Sequence, residues 1–503
     1  MLDKSQGLVL GSELVTNGDF SQGSTGWTLT SSSVVNGALD CSSATSVNFA
    51  VGGITVTAGR TYLVSFTVSN YISGVILLQL GVGTNVGTPL FSGNGVWTAK
   101  IVAGAGNSEV RMQCNNSGFI GTIDNISVKL LAGNHATQAT STQRPIYGIN
   151  PITGTRNLLT YTEQFDNAVW GKDSATITTD VAVAPDGTNS ADKAVVTNRI
   201  LWFDNSGLTG FKTQSLYVKA EAGTVFTLTA IGGQSIAGGS TVTVNLTTGT
   251  VTSGQGSSVV VTSAGNGWWR IAATASVATA SGNSTYWQIG ATTGIYIWGA
   301  QLELGSTATA YQKVVSQYEV TEAGVQSASY LAFDGVDDGM VTGTITPGID
   351  KVQVFAGVRK LSDSAVAILA ELSADVNSAI GSFLLAAPGS GLGNINGRIK
   401  GTLESGEFGA TVSSPNTRVV TLTADIAGSS GKLRLNASDA AAFSGSLGTG
   451  NFLAYPLYIG RRGGVSLPFN GRIYSLITRF GANLTTGQIT STESWVNSKT
   501  GAY

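Results

Sequence analysis

The feature that most restricts this chain is a set of short runs in which β-branched and aromatic residues alternate with small polar ones. Clusters of Gly, Asn and Ser separate the runs. Thr241–Leu246 (TVTVNL) alternates without a break, and Arg60–Val68 (RTYLVSFTV), Val75–Leu80, Ser215–Lys219, Val225–Ala230, Val259–Thr262 and Arg418–Thr423 are of the same kind. A period of two sends successive side chains to opposite faces of a strand, so the pattern predicts half-buried antiparallel strands with tight turns between them. Thr suits the wet face of such a strand. It explains how a chain with only 11% charged residues keeps a polar surface, where about 25% is usual. Glycine, 67 of 503 residues, supplies the turns. The remaining composition excludes several classes. Hydrophobic residues reach 42% with nine Trp, too apolar for disorder. There is no Gly-X-Y period, so the chain is not collagen-like. Lys and Arg total 27 against 29 acids, a net charge of −2, which leaves no basic face for nucleic acid. The apolar runs are too short to cross a membrane as helices.

Two polar stretches divide the chain. Gly133–Arg156 holds two of the nine prolines and the single histidine, His135, and Val314–Ser329 lies between two aromatic strand sets. The expected organisation is an N-terminal arm (1–12), a first module (13–132), a connector (133–156), a second module (157–313), a linker (314–329) and a third module (330–503). The fold class is all-β: three tandem antiparallel β-sandwich or jelly-roll domains with a short C-terminal helix. That helix is announced by Thr485-Thr486-Gly487-Gln488, the pattern of a capping box, and is expected over about 486–498 with Ile489, Trp495 and Val496 packed on the sandwich. Cys41 and Cys114 are too few for a disulfide framework or a zinc site and are expected to be buried small hydrophobes. The N-terminus lacks the apolar core of a secretory signal, so folding in a cytoplasm is expected.

Modules one and two open and close alike. Module one runs from Glu13-Leu14-Val15-Thr16-Asn17-Gly18-Asp19-Phe20 and Gly26-Trp27 to Ile123-Asp124-Asn125-Ile126-Ser127-Val128. It resembles the CenC-type carbohydrate-binding jelly rolls. Module two is marked by Asn157-Leu158-Leu159-Thr160-Tyr161-Thr162-Glu163-Gln164-Phe165, Ala184-Pro185-Asp186-Gly187-Thr188 and Trp298-Gly299-Ala300-Gln301-Leu302-Glu303. It resembles a jelly-roll module of bacteriophage fibres and head spikes. Module three has Leu331-Ala332-Phe333-Asp334-Gly335-Val336-Asp337-Asp338, Tyr458-Ile459-Gly460 and Phe469-Asn470-Gly471-Arg472-Ile473. It is similar to concanavalin A-like (LamG) sandwiches. The combination resembles phage virion adhesion proteins. That resemblance implies a tail fibre or receptor-binding protein located in the virion and assembled in the host cytoplasm. It would bind a host cell-surface glycan, meet other virion proteins through the arm, and form a homotrimer, with neither nucleic acid nor membrane as partner. A head spike or capsid decoration fibre, and a non-catalytic carbohydrate-binding protein of a bacterial surface, are the alternatives.

A pyranose lays its C–H face on an exposed aromatic ring while amides and carboxylates take its hydroxyls. The aromatics considered for that role are Trp27, Tyr71 and Trp97 in module one, and Trp202, Trp287 and Tyr296 in module two. In most jelly rolls such residues are core. Of the adjacent pair Trp268-Trp269, one is expected buried and the other exposed. Asp334, Asp337 and Asp338 are the metal candidates, with calcium the ion their oxygens would suit; a self-capped turn explains them equally. No other cofactor is expected. No enzyme is expected either. Glycoside hydrolysis needs two carboxylates across the scissile bond, and the E-x-D-x-x-E pattern of sandwich glucanases does not occur.

Overall fold

The computed structural model describes residues 10–42, 44, 47–131, 136–201, 209–221, 225–228, 230–231, 234–235, 242–253, 259–277 and 289–503. His135, Trp202, Trp287 and residues 1–9 of the expected arm lie outside this set. The described chain is all-β, with antiparallel sheets throughout except one parallel contact, and a single α-helix at its end.

Module one is built on two long strands, Thr61–Gly81 and Glu109–Leu131, which pair antiparallel along most of their length. The predicted alternation is visible in the first of them. Tyr62, Val64, Phe66 and Val68 are buried, while Thr61, Leu63, Ser65 and Thr67 sit half-buried on the other face. The pairing breaks register between Ser69 and Ser73, where Asn70 adopts φ 52° and the strand bends. Bending lets one strand serve both ends of a single core, which also takes in Cys41 and Cys114. Burial pushes the Cys41 thiol up to about 12, as expected of an inert buried thiol. Residues 10–12, expected as part of an arm, belong to a strand, Leu10–Glu13, that pairs with Glu109–Leu131.

Module two centres on Gly210–Ala220, held between Trp268–Val277 and Ile289–Leu304. Leu216, Val218, Ile271, Ile295 and Ile297 point to its main core. Module three is a sandwich of a nine-stranded and a six-stranded sheet. Its large sheet departs from the expected tandem order. Starting from one edge it runs Lys313–Ser316, Glu319–Thr321, Ile146–Pro151, Ser327–Asp334, Asn470–Phe480, Lys351–Lys360, Asn416–Asp425, Ser430–Leu435 and Ser438–Ser444. The expected connector therefore supplies one strand of this sheet and the expected linker two, and module two is inserted into module three. Polarity hid this. Both stretches carry Gly, Gln, Ser and Thr that read as loop, but each strand has one buried side, shown by Val314, Val320 and Asn150.

The junction is closed by polar groups. The Arg156 Nη1 and Nη2 atoms donate to Glu322 at 2.5 and 2.8 Å, and Nε donates to Thr309 Oγ1 at 2.6 Å. Gln312 Oε1 accepts from the backbone N–H groups of Arg156 and Asn157 at 2.9 and 3.1 Å.

The C-terminal helix runs Thr486–Thr500, two residues longer than expected, and its capping box is present: Thr485 and Gln488 exchange bonds. Glu493, Val496 and Thr500 are buried, following the i, i+3, i+4 spacing of one helix face. Trp495, expected against the sandwich, falls off that stripe and is 40% exposed, with the Lys499 ammonium 5.7 Å from its ring.

The inserted topology predicts which pieces fold alone. Residues 330–503 lack the Ile146–Pro151 strand and strip one side of Ser327–Asp334 of its partners, so this fragment should be aggregated or lack a cooperative melt. Residues 136–503, with 157–311 replaced by a short Gly-Ser linker, should melt as one transition; circular dichroism and calorimetry on the two separate the outcomes.

Candidate functional site

The motifs that open and close the modules turn out to be fasteners. Glu13 Oε1 accepts from the N–H groups of Leu14, Val15 and Val128, and Oε2 accepts from Ser127 Oγ at 2.6 Å. Together these bonds outweigh its partial burial and hold the carboxyl below its ordinary range. Asn17 donates to the carbonyls of Gly23 and Thr25 and accepts from Gln22 N–H, which shapes the loop before Trp27. Gly18 leaves no room for a side chain: a Cβ there would lie 2.0 Å from the Ile126 carbonyl oxygen. In module two, Asn157 is buried with its amide spanning the carbonyls of Ala300 and Gln312 and the N–H groups of Leu159 and Leu302. Gln301 and Glu303 complete the same network through Thr309 and Gln312. All four capacities of the Asn157 amide are used, so nothing remains for a ligand.

Trp27 is also core. It is 8% exposed, its ring lies 5.4 Å from Phe20, and its indole N–H donates to the carbonyls of Thr16 and Asn17. Tyr71 and Trp97, by contrast, are both tied to the Gly93-Asn94 loop, beside the bend of the Thr61–Gly81 strand. Asn94 joins them: its Oδ1 accepts from Tyr71 N–H at 2.9 Å, and the neighbouring Gly93 carbonyl accepts from Trp97 Nε1 at 3.3 Å. Both rings are half-buried, Trp97 stacked on Phe91 at 5.0 Å and Tyr71 tilted against Phe119 at 6.1 Å. Ile72 beside Tyr71 is exposed, and the Asn70 amide reaches Thr122 Oγ1 at 3.3 Å. Each ring packs against one aromatic of the core and stays partly exposed, with amide and carbonyl groups nearby.

In module two the Trp268-Trp269 pair does point to opposite faces, but neither ring is free. Trp269 packs on the main core with Nε1 donating to the Leu246 carbonyl at 2.7 Å. Trp268 is buried in a second cluster on the outer face, with Nε1 donating to the Val183 carbonyl at 3.0 Å. The segment carrying Ala184-Pro185-Asp186-Gly187-Thr188 folds over that face and roofs it. Tyr296 lies half-buried in the same cluster, with Tyr217, Trp298 and Tyr311. Sequence reasoning missed these three. The signal was present in the alternation of Ser215-Leu216-Tyr217-Val218-Lys219 and Ile295-Tyr296-Ile297-Trp298, where each second residue is large or charged. Asp192, beside this sheet, accepts from Phe165 and Asp180 N–H groups at 3.0 and 3.1 Å, yet burial pushes its carboxyl up to about 6.

The Asp334, Asp337 and Asp338 carboxylates do gather, each offering an oxygen within 4.8 Å of the others. They fit only part of a calcium shell of six to eight oxygens. Asp334 Oδ1 already accepts from the N–H groups of Val336, Asp337 and Asp338, and Asp338 Oδ2 from that of Asp334. Arg461 Nη1 donates to the Asp337 carbonyl at 2.9 Å, bringing a fixed cation alongside. The turn is satisfied by its own backbone.

The outer face of the six-stranded sheet holds the acids that a hydrolase would need. Glu371 and Glu407 stand in one transverse row, Glu371–Leu384–Arg398–Glu407, across four adjacent strands. Burial raises the Glu371 carboxyl, whereas hydrogen bonds from Asn396 and Ser390 outweigh burial and lower that of Glu407. Three strand spacings of ~4.8 Å separate their backbones by about 14 Å. Glycosidase carboxylates lie roughly 5–9.5 Å apart. Glu371 is also fully buried, paired with Arg462 at 3.0 Å.

No protein-family profile matches the chain, and no curated protein matches it in sequence. In three dimensions, the chain is similar to the Ruminococcus gnavus IT-sialidase CBM40 bound to α2,3-sialyllactose, at 14% identity over 30% of this chain and 97% of that one, with a TM-score of 0.24. It is similar to the CBM22-1–CBM22-2 tandem of Paenibacillus barcinonensis Xyn10C at 12% identity, 59% and 98% coverage and a TM-score of 0.22. It is also similar to domains LG4-5 of the mouse laminin α1 chain at 11% identity, 70% and 94% coverage and a TM-score of 0.22. These scores lie below the level at which whole chains share a fold.

Two predictions follow from the charged groups. Asp334→Ala should cost about 1–3 kcal/mol, the price of several orphaned N–H groups. The parent's melting temperature should be equal in millimolar calcium and in chelator; a calcium-dependent rise lost in Asp337→Asn would overturn the self-capped turn. Asp192 has a folded pKa of about 6, above its ordinary 3.8, so the folded state binds its proton more tightly. Its contribution to stability therefore grows as pH falls from above 6 toward 4. Asp192→Asn lacks this gain, and the stability gap between parent and variant, measured by urea melts, should widen over that window.

Proposed function

We propose that this chain is a non-catalytic glycan-binding adhesion protein, mounted on a bacteriophage virion as a tail fibre or receptor-binding protein. The observation that carries glycan binding is one rim of module one, where Tyr71 and Trp97 are both half-buried and the Gly93-Asn94 loop bonds the Tyr71 N–H and the Trp97 indole. The virion assignment rests on the module motifs. Host glycan is the partner, the N-terminal segment makes the attachment to other virion proteins, and a homotrimer multiplies weak contacts.

Full-length protein should bind host cells or their isolated surface glycan. Trp97→Ala should weaken that binding at least about tenfold, or roughly 1.4 kcal/mol, while circular dichroism shows the fold retained. No reducing sugar should be released from capsule or lipopolysaccharide. Normal adsorption of virions lacking the protein would defeat the receptor-binding reading, and sugar release would defeat the non-catalytic one.

A further inference from the structure

The core-facing row of Lys351–Lys360 runs Val352, Val354, Ala356 and Val358, and the next place in that alternation is Lys360. Its side chain is wholly buried and ranks with Trp, Tyr and Phe side chains among the largest such groups of the described residues. An ammonium has three protons to donate, and burying its charge is costly unless it is both paired and hydrogen-bonded. Among the described residues, Nζ is ion-paired to the Asp363 carboxylate and completes no further hydrogen bond. Asp363 Oδ2 in turn accepts from the Ser414 N–H at 2.6 Å, which sets the acid beside the start of Asn416–Asp425.

Two residues stand directly opposite Lys360. On one side is Gly471, which offers no side chain; a Cβ there would meet the Phe469 ring at 2.5 Å. On the other side is Asn416. Directly opposed residues share a face of the sheet and have Cβ atoms roughly 5 Å apart, a gap that a lysine stem and an asparagine amide together can close. Asn416 is half-buried, and among the described residues its amide bonds no group. An amine, an amide and an acid are thereby gathered at the ends of two adjacent strands, next to Val358 and Phe469 of the core.

We propose that Lys360 and Asn416 become joined by an intramolecular isopeptide bond, with Asp363 as the proton carrier. Nζ gives one proton to Asp363, and its lone pair attacks the Asn416 carbonyl carbon, Cγ. The Cγ–Nδ2 bond breaks as Asp363 protonates Nδ2, and ammonia leaves, taking up a second Nζ proton as ammonium. The products are a secondary amide, an unchanged Asp363 carboxylate and one ammonium ion, so the step needs no co-reactant. Fixing the three groups on one sheet turns a bimolecular aminolysis into an intramolecular one. Burial raises the Asp363 carboxyl, but hydrogen bonds from Lys360 and Ser414 outweigh it and hold it low. The resting pair is therefore charged, and the step is slow and happens once per folded chain. It replaces a buried ammonium with a neutral amide and ties Lys351–Lys360 to Asn416–Asp425 covalently. The inference is independent of the glycan-binding reading.

The test is the intact mass of the purified full chain, fresh and after prolonged warm incubation. The parent should end lighter than its sequence by one ammonia, about 17 Da. A tryptic digest should hold one branched peptide joining the segments around Lys360 and Asn416, with cleavage after Lys360 lost. Asn416→Ala, which leaves the Lys360–Asp363 pair in place, should keep its full mass, as should Lys360→Met. Asp363→Asn should convert at least about tenfold more slowly than the parent. A parent that stays at full mass with the two peptides unlinked overturns the proposal. So does an ammonia loss that persists in Lys360→Met, the mark of an asparagine cyclising on its own backbone at an Asn-Gly step. Conversion of Asp363→Asn at the parent's rate overturns the role given to the acid.

Discussion

A module inserted into another keeps its place only if the chain's exit and return are fixed to each other, and here Arg156 fixes both. Its guanidinium is a rigid fork of donors, suited to a bidentate carboxylate. Glu322, on the far side of the insertion, takes that fork. The Arg156 hydrogen bond is the leading cause of the lowered Glu322 carboxyl, and the same contact raises Arg156. Thr309 and the Ala310 carbonyl fill the remaining donors. Gln312 then ties the returning chain to the backbone on either side of the exit. With those two crossings side by side, Ile146–Pro151 enters the large sheet next to Ser327–Asp334, although about 175 residues separate them in sequence. The sandwich of module three is complete only because module two is shut off at its root.

Inside module two the same economy produces a two-sided sheet. An antiparallel sheet commonly packs one face and wets the other. Here Leu216, Val218 and Ile297 take the inner face, and the outer one is only partly wet. The segment over Trp268 and Trp298 gives each indole N–H an acceptor, Val183 carbonyl and Ser190 Oγ, so these rings are buried without an orphaned donor. Gly299 makes the fit possible. Its φ of 63° and missing side chain let Tyr217 and Tyr311 close on the strand where the register slips.

Much of this was legible in the sequence where it depended on local pattern. The alternation in RTYLVSFTV, the capping box at Thr485, the opposite facing of Trp268 and Trp269 and the buried thiols all follow from rules that span a few residues. The insertion was not legible. It is decided by a pairing between Ile146–Pro151 and Ser327–Asp334, and nothing within either stretch marks its partner. Trp27 shows a related limit. Its Asn-Gly-Asp-Phe context is the same whether the ring faces core or solvent, and only the acceptors at Thr16 and Asn17 fix it inward. The acidic turn shows the same limit. Three acids in five residues suit a cation or a self-capped turn equally in sequence, and only the structure places Asp334 Oδ1 and Asp338 Oδ2 on the turn's own N–H groups.

The scarcity of charge now has a structural meaning. Where charges occur in module three, they fasten loops and helix to the sheets: Arg434 to Glu493 and Asp439, Lys351 to Asp350 and Asp425, Arg398 to Glu404 and Arg462 to Glu371. Pairs of this kind cancel at a distance. A net charge of −2 over 503 residues therefore gives little long-range steering of any ligand. Recognition has to come from contact, through ring faces and single hydrogen bonds each of modest strength. A protein limited to such contacts gains avidity by presenting several of them at once.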